Sequence, residues 1–460
     1  MTIKLHNTLS GKVEDFSPIN SSEVNMYHCG PTVYDHVHIG NLRSFLLADI
    51  LRRTFEYLGF KVKQVMNITD VGIGGDNDEG EDKMIRGLKR DGKIVSMESM
   101  KELGDFYTEV FRKDTSKLNI KEPDILPKAS EHLIEQLALV KRLEEKGFTY
   151  QTYDGIYFDI SKDPNYGRLG KLGKEVESRI VNSRKRNSQD FALWKFNKNL
   201  GFKSPWGQGF PGWHLECSAM STKYLGNTFD IHTGGIDLAP IHHNNEIAQS
   251  ESACGCELAH YWLHNGFITV SNAKMAKSEG NFYTLDDIEA KGFSPLAYRY
   301  FLLMAHYRTP VNFSWEALEA AQNAYRKLKE IYHGLTRLPD GQVRTNKRID
   351  EKYKKEFEEA IENDLNTPEA LAVVWKLVKD ESVSPALKAA TLLEFDKVLG
   401  LDLEHNEFSD VPQNILDLGE KRQEAKNKKD FEEADKIRRE IEGLGFEIRD
   451  REETFQILKK

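Results

Sequence analysis

The chain of 460 residues has few cysteines: only Cys29, Cys217, Cys254 and Cys256. A disulfide-stabilised extracellular scaffold needs more, so these residues are expected to be free thiols or metal ligands. The sequence also lacks any apolar run of about 18 residues, which excludes a membrane-spanning helix. Its first residues have neither the secretory nor the transit pattern. These absences predict a cytoplasmic protein with no membrane partner.

An excess of positive charge is also lacking, because 64 lysines and arginines stand against 73 aspartates and glutamates, for a net charge of −9. This excludes a uniformly basic protein that coats RNA, but it permits a local basic surface. Hydrophobic residues make up 39% of the chain and charged residues 30%, which is typical of soluble globular proteins. The length predicts roughly two to four domains.

The beginning of the chain has the hydrophobic pattern of a β-α-β unit. Residues 24–28 and 62–68 are strand-like, and residues 42–58 carry apolar side chains at helical spacing. Two strands joined by one helix pair in parallel through a right-handed crossover. Ligands of such sheets bind at the carboxyl ends of the strands, where Cys29 and Thr69 are predicted to lie.

Two segments have residues suited to phosphate chemistry. Before the first helix, Gly40 allows close approach of a nucleotide, and His38 and Asn41 can donate hydrogen bonds to a phosphate at a helix amino terminus. Farther along, Lys274 and Lys277 lie in a small-residue loop, where their point charges can follow separating phosphates. Each segment alone also fits an ordinary solvated surface.

Two further groups suggest ligand sites. Zinc accepts sulfur, nitrogen and oxygen ligands, and these could come from the set Cys29, Cys217, His242 and Glu246. The alternative is that both cysteines are buried small hydrophobes. Cys254 and Cys256 compete as ligands, but on a helix they would point apart. After a strand-like segment, Gly234, Gly235 and Asp237 could pack against a nucleotide and bind a ribose hydroxyl, although a Gly-Gly turn is often only a turn.

Taken together, these motifs resemble the class I aminoacyl-tRNA synthetases over nearly the whole chain. His38-Ile39-Gly40-Asn41 is similar to the HIGH signature, and the segment 274–278 is similar to the KMSKS signature. The cysteine-specific family within this class is indicated by five further segments, at residues 29–35, 67–71, 212–220, 234–238 and 364–368.

The resemblance implies roles for individual residues. Zinc, one ion per subunit, would be bound by Cys29, Cys217, His242 and Glu246. The amino-acid pocket would contain Cys29, Thr69, Trp213 and His242. ATP would be contacted by Thr32, His38, Gly40, Asn41, Gly234, Gly235, Asp237 and Lys277. His38, Asn41, Lys274 and Lys277 would be the catalytic residues.

The implied activity is that of a cysteine–tRNA ligase. L-cysteine and ATP would form cysteinyl-adenylate, which then transfers its cysteinyl group to the terminal ribose of tRNA(Cys). Mg²⁺ would accompany ATP, and zinc would select the substrate thiolate over the serine hydroxyl without an editing domain. The basic segment from Arg184 to Lys198 would lie near the acceptor end of the tRNA. The family is expected to act as a monomer.

The fold class that the resemblance implies is α/β, with a Rossmann-like parallel-sheet catalytic domain that carries an insertion. A helical bundle and a small C-terminal anticodon-binding unit follow. The charged residues near 417–443 predict one helix at the start of that unit. The expected boundaries are 1–122 and 201–270 for the two catalytic halves, 123–200 for the connective insertion, 271–337 for the KMSKS loop and stem-contact helices, 338–404 for the bundle that binds the anticodon stem, and 405–460 for the last unit.

Three residues depart from the family pattern. Asn41 replaces the second histidine of HIGH, Ala276 replaces the central serine of KMSKS, and Phe455 stands where a tryptophan often stacks on the anticodon. Two other functions remain open. A cysteine ligase of mycothiol synthesis shares the catalytic half but lacks the C-terminal unit, and an inactive paralogue would bind RNA without catalysis.

Overall fold

The computed structural model describes residues 3–71, 82–169, 185–270, 273–275, 281–336, 348–405, 413–450 and 455–459. The chain divides into two compact units. The first comprises residues 1–325 and 346–401, and the second comprises residues 326–345 and 402–460. None of the helices in the described ranges is both long enough and apolar enough to cross a membrane.

The strands are β1 (Lys4–Asn7), β2 (Lys12–Asp15), β3 (Glu23–His28), β4 (Lys61–Met66), β5 (Thr149–Gln151), β6 (Gly155–Phe158), β7 (Phe191–Phe196), β8 (Gly209–Pro211), β9 (Phe229–Gly235), β10 (Ala259–Asn265), β11 (Ile268–Val270), β12 (Ala273–Lys274), β13 (Val311–Phe313), β14 (Phe446–Asp450) and β15 (Phe455–Lys459).

The α-helices are α1 (Ile39–Tyr57), α2 (Lys83–Arg90), α3 (Met97–Lys117), α4 (Leu133–Glu145), α5 (Trp213–Leu225), α6 (Asn244–Cys254), α7 (Leu285–Ala290), α8 (Pro295–Leu303), α9 (Trp315–Thr336), α10 (Glu351–Glu362), α11 (Thr367–Lys379), α12 (Pro385–Leu399), α13 (Gln413–Asn427) and α14 (Phe431–Gly443).

A four-stranded parallel sheet forms the centre of the first unit, in the order β10-β9-β3-β4. Helix α1 connects β3 to β4, so the predicted β-α-β unit is confirmed. One face of α1 buries Leu47, Leu51 and Phe55 in a core shared with Val24 and Ile231. Because the strands are parallel, their carboxyl ends lie along one edge of the sheet, and the side chains that follow them share that edge.

The insertion contains an antiparallel sheet in the order β5-β6-β7-β8. The sequence interpretation placed a basic stretch from Arg184 to Lys198 near the acceptor end of a tRNA. Lys195 is instead buried on β7, where its ammonium lies 2.9 Å from Asp154 Oδ2 and donates to Tyr157 Oη at 2.6 Å. This lysine therefore neutralises a carboxylate inside the insertion, and Arg184 lies outside the described residues.

Helices α10, α11 and α12 form the predicted helical bundle within the first unit. A buried ion pair joins helix α8 to α1, because Arg299 Nη2 lies 2.6 Å from Asp49 Oδ2. The same guanidinium donates from Nε to the carbonyl of Leu399, the last residue of α12, at 2.7 Å. Arg299 thus connects the bundle to the helix that begins at the sheet edge.

The second unit has a small core between helices α13 and α14 and the antiparallel pair β14-β15. One charged helix near residues 417–443 was expected, and this prediction is wrong. Two helices form because Lys429, with φ +60°, reverses the chain between them. Phe455 packs over Gly419, since a Cβ on that glycine would lie 2.2 Å from the phenylalanine ring. Its side chain contributes to this core.

Candidate metal and nucleotide site

A cavity of about 280 Å³ lies at the carboxyl edge of the parallel sheet. The residues that line it come from the segment between β3 and α1, from α1 itself, from the end of β4, from α2, α5, β9 and the turn before α6, and from the segment at Phe282. Those used below are Cys29, Thr32, Asp35, His38, Asn41, Ser44, Asn67, Lys83, Trp213, Cys217, Gly235, Asp237 and His242. Side chains from separate parts of the sequence therefore share one chamber.

The four expected metal ligands lie together at this cavity. Cys29 Sγ lies 3.9 Å from Cys217 Sγ and 3.6 Å from Glu246 Oε1. His242 Nε2 lies 3.0 Å from the same Glu246 oxygen. One ligand atom from each of the four lies within 4.8 Å of the others, and all four side chains are buried. The set fits zinc, because its two sulfurs, one nitrogen and one oxygen are ligands that zinc accepts.

Local structure explains how these ligands converge. Cys29 follows β3 directly, and Cys217 lies on α5. His242 belongs to a π-helical turn, Ala239–His243, which leads into α6 and its Glu246. His214 Nδ1 lies 2.8 Å from His242 Nδ1, and this contact leaves the Nε2 atom of His242 facing the other ligands. Because His242 and Glu246 are four residues apart on this helical segment, their side chains lie on the same side of it.

Two histidines that the sequence interpretation missed adjoin the set. His232 Nε2 lies 2.9 Å from Glu246 Oε2, and His243 Nε2 lies 3.3 Å from Cys29 Sγ. Together with Cys29 and Glu246 they form a second possible metal-binding group, which overlaps the first. A histidine inside the buried strand β9 was a usable signal for His232, since imidazoles are seldom placed in a strand core without a partner.

The charges in the set favour a cation. Burial by itself would raise the pKa of Glu246, but the charges and hydrogen bonds of His232 and His242 lower it to about 2. Burial would also raise the pKa of Cys217, yet hydrogen bonds from Cys29 and His242 lower it to about 6. A carboxylate and a thiolate are therefore present at neutral pH before any metal binds.

Around the metal set, the structure separates two residues that were predicted to line the amino-acid pocket. Trp213 lines the cavity, with its ring 4.4 Å from that of His242. Thr69 is buried and is absent from the described lining of the cavity. Its hydroxyl donates to Glu216 Oε2 at 2.6 Å. Asn67 lines the chamber instead, and its side-chain oxygen accepts the backbone N–H of Gly30 at 2.9 Å.

The amino terminus of α1 forms the other end of the chamber. His38 is the N-cap residue: its Nδ1 accepts the Asn41 N–H at 3.2 Å, and Asn41 Oδ1 accepts the His38 N–H at 3.4 Å. In the neutral imidazole this arrangement places the ring proton on Nε2, which is then a donor. A Cβ at Gly40 would lie 2.6 Å from Met275 Cε and 2.9 Å from the His38 ring, so the glycine lets both side chains pack closely against the start of α1.

A smaller cavity of about 90 Å³ continues from this end and is lined by Gly40, Asn41, Gly235, Asp237 and Met275, among others. A Cβ at Gly235 would lie 2.4 Å from Asp237 Oδ1. A Cβ at Gly234 would lie 2.8 Å from the His243 ring. The contact at Gly234 is with a buried ring, whereas the contact at Gly235 is with the end of the Asp237 side chain, which is exposed at the cavity wall.

Of the two lysines predicted to form a phosphate-binding loop, Lys274 lies within the described residues and Lys277 does not. Lys274 lies in β12, whose backbone pairs with β11 through Thr269. Lys277 lies outside the described residues, as does Ala276. Met275 is buried next to Gly40, so the loop that carries Lys274 begins beside the amino terminus of α1.

The other two cysteines do not point apart, and that expectation is wrong. Helix α6 ends at Cys254, and Gly255 takes a left-handed φ of +79°. The reversed backbone brings Cys256 beside Cys254, and the two are joined as a disulfide. They take no part in the metal set.

A parallel sheet that carries a helix amino terminus and a metal-binding group at one edge is the arrangement to be classified. Comparison with known protein families identifies the class of protein. Residues 15–323 match the family model described as the tRNA synthetases class I (C) catalytic domain, and residues 356–404 match the DALR domain. The class is therefore that of the class I tRNA synthetases.

The most similar relatives narrow the class to one family. The chain is 45% identical to Cysteine--tRNA ligase 1 of Burkholderia lata, over 98% of this chain and 95% of the relative. It is 42% identical to the Cysteine--tRNA ligase of Treponema denticola, over 98% of each. The chain belongs to the cysteine–tRNA ligase family.

Solved structures show the same fold at low identity. Methionyl-tRNA synthetase of Mycobacterium tuberculosis, in complex with methionyl-adenylate, is similar with a TM-score of 0.56 and 16% identity, over 83% of this chain and 90% of that one. The agnB2 LeuRS of Agrobacterium radiobacter K84 is similar with a TM-score of 0.57 and 11% identity, over 85% of each. These likenesses show the class I fold, as expected.

Proposed function

We propose that the chain activates L-cysteine with ATP and transfers the cysteinyl group to the terminal ribose of tRNA(Cys). The observation that carries this proposal is that Cys29, Cys217 and His242 of the metal set line the same cavity as the amino terminus of α1, with Glu246 buried beside them. A metal set that can recognise a thiol and a helix end that can bind phosphate thus face one chamber.

The first reaction needs no nucleophile from the protein. An oxygen of the cysteine carboxylate attacks the α-phosphorus of ATP, the bond to the bridging oxygen breaks, and pyrophosphate leaves. His38 Nε2 and the Asn41 side chain are placed to donate to the phosphates from the start of α1. The protein accelerates this step by position and by charge.

The second reaction transfers the acyl group. A hydroxyl of the terminal ribose attacks the carbonyl carbon of cysteinyl-adenylate, AMP leaves, and the hydroxyl proton is released. Class I membership assigns this attack to the 2′-hydroxyl. Lys274 and Lys277, with Mg²⁺ bound to the phosphates of ATP, are assigned to charge stabilisation in the first step.

Selection of cysteine over serine rests on the metal set. Cys29, Cys217, His242 and Glu246 would hold a zinc ion, which would supply a Lewis-acidic centre that prefers a thiolate to a hydroxyl. Serine presents a hydroxyl, which is a weaker acid and a poorer ligand, and a pocket without a metal separates such near-isosteres weakly. The Trp213 ring packs at a tilt against the His242 ring and would form one wall around the thiol.

Recognition of tRNA is assigned to the carboxyl-terminal half of the chain. The helices α10–α12, where the DALR domain matches, would bind the anticodon stem. The second unit, from about residue 405, would bind the anticodon loop. The proposed enzyme works as a cytoplasmic monomer with one zinc ion per chain.

Two assays test this function in sequence. Exchange of pyrophosphate into ATP should depend on L-cysteine and should not be supported by L-serine. Charging of tRNA(Cys) should follow in the same preparation. Exchange without charging would point to a small-molecule cysteine ligase, and absence of exchange would point to an RNA-binding protein; either result overturns the proposal.

A variant tests the metal step separately. Cys217→Ser should lower zinc content and reduce the preference for cysteine over serine in pyrophosphate exchange. Cys254→Ser is the matched control, because Cys254 lies outside the metal set, and it should leave both values unchanged. An unchanged preference in Cys217→Ser would contradict the assignment of selectivity to the metal.

A further inference from the structure

Lys83, the first residue of α2, enters the cavity that contains the metal set. Of the described residues that line this cavity, Lys83 is the one that is a lysine or an arginine. Its Nζ atom lies 4.9 Å from the centre of the Trp213 ring, a cation–π contact. Because the Trp213 ring also packs against the His242 ring, with their centroids 4.4 Å apart and their planes tilted by 46°, a single indole ring links the ammonium to the metal set.

The packing of α2 fixes this position. Arg90 Nη1 lies 2.7 Å from Asp35 Oδ2, and Arg86 Nη2 donates to the hydroxyl of Tyr34 at 3.0 Å. Gly87 lies so close to the same segment that a Cβ there would come within 2.9 Å of the Tyr34 carbonyl oxygen. Helix α2 is thus held against the cavity wall, with its amino terminus at the chamber.

A lysine at this end of a helix is unfavourable for stability. The amino terminus of a helix carries a partial positive charge, so a cation there is disfavoured. The first turn of α2 has no acidic residue, although the N-cap Asp82 accepts the N–H groups of Met84 and Ile85 at 2.7 and 3.1 Å. Because the Asp82 carboxylate already satisfies the helix end, the positive charge that faces the cavity is the Lys83 ammonium, which can bind an anion there.

The chemistry of the substrate identifies this anion. Within the proposed function, the thiol of cysteine lies at the metal set, and its carboxylate must face the α-phosphate at the start of α1. These two anionic groups repel each other as the carboxylate oxygen approaches phosphorus. We propose that Lys83 binds the carboxylate of the amino-acid substrate, which positions it and neutralises part of this charge. This inference rests on the proposed function.

Cysteamine, which is cysteine without its carboxylate, separates this role from others. In Lys83→Gln, the KM for L-cysteine in pyrophosphate exchange should rise about 10- to 100-fold, because a charge-assisted hydrogen bond is lost. The inhibition constant of cysteamine against L-cysteine should stay within about twofold of the wild-type value. Lys83→Arg should recover part of the affinity for L-cysteine, since it keeps the charge.

Three results would overturn the inference. An equal rise for cysteine and cysteamine would show that Lys83 only supports Trp213. An effect on tRNA charging without an effect on exchange would assign Lys83 to the tRNA. An unchanged KM would show no role. Lys89→Gln, which removes the same charge from the same helix away from the cavity, is the control. Cysteine-dependent exchange by the wild-type protein tests the proposed function independently of Lys83.

Discussion

His232 and Glu246 form a fully buried pair, with His232 Nε2 lying 2.9 Å from Glu246 Oε2. The other oxygen of this carboxylate, Oε1, faces Cys29 and His242. One oxygen of the Glu246 carboxylate is therefore held by a histidine on strand β9, while the other oxygen is available as a metal ligand. Such partners orient the ligand and set its charge.

The first prediction concerns this pair. His232→Ala should weaken zinc binding by about 10- to 100-fold, because Glu246 loses the group that orients it. His232→Gln should lose less, since its amide nitrogen can still donate. Competition with a chromophoric chelator measures both affinities. His132→Ala, which removes a buried histidine elsewhere in the first unit, should keep the wild-type affinity. Equal zinc affinity in all three variants would contradict the orienting role.

The second prediction concerns the two thiols of the metal-free protein. The pKa of Cys217 is lowered to about 6, whereas burial raises the pKa of Cys29. The lowered pKa places the reactive thiolate on Cys217 rather than on Cys29. Iodoacetamide should therefore modify Cys217 ahead of Cys29 at neutral pH, read by peptide mass spectrometry after mild alkylation. Modification of Cys29 ahead of Cys217 would show that Cys29, and not Cys217, carries the thiolate.

Much of this site could be predicted from sequence, because it depends on residues next to strand and helix ends. The strand before Cys29 and the helix after His38 follow from hydrophobic spacing alone. Convergence of Cys217 and Glu246 on Cys29 could not be derived in this way, since it depends on the crossover that places α5 and α6 over the same edge. Family resemblance supplied that step, and the distances agree with it.

The misses have physical causes. The sequence interpretation treated Lys195 as part of a surface patch, but its strand is buried and pairs it with Asp154. It overlooked Lys83 because a lysine at a helix start shows no periodic signal. It also merged two carboxyl-terminal helices, since the left-handed residue between them is Lys429 rather than a glycine.

The third prediction concerns Arg299, which is fully buried and paired with Asp49. Arg299→Met should destabilise the first unit by about 3 kcal/mol, because the change leaves the Leu399 carbonyl without its donor and weakens the neutralisation of Asp49. Urea unfolding followed by fluorescence gives this value. Lys101→Met removes an exposed partner of Asp105 and should leave the unfolding midpoint unchanged. Equal midpoints for the two variants would rule out a structural role for the buried pair.

The most direct test of the central claim is zinc X-ray absorption spectroscopy of the zinc-loaded protein, with and without amino acid. The fit should require two sulfur ligands in the free protein, from Cys29 and Cys217, and a third when L-cysteine is added. L-serine should leave the spectrum unchanged. An unchanged sulfur count with saturating L-cysteine would contradict selection of the substrate through its thiolate.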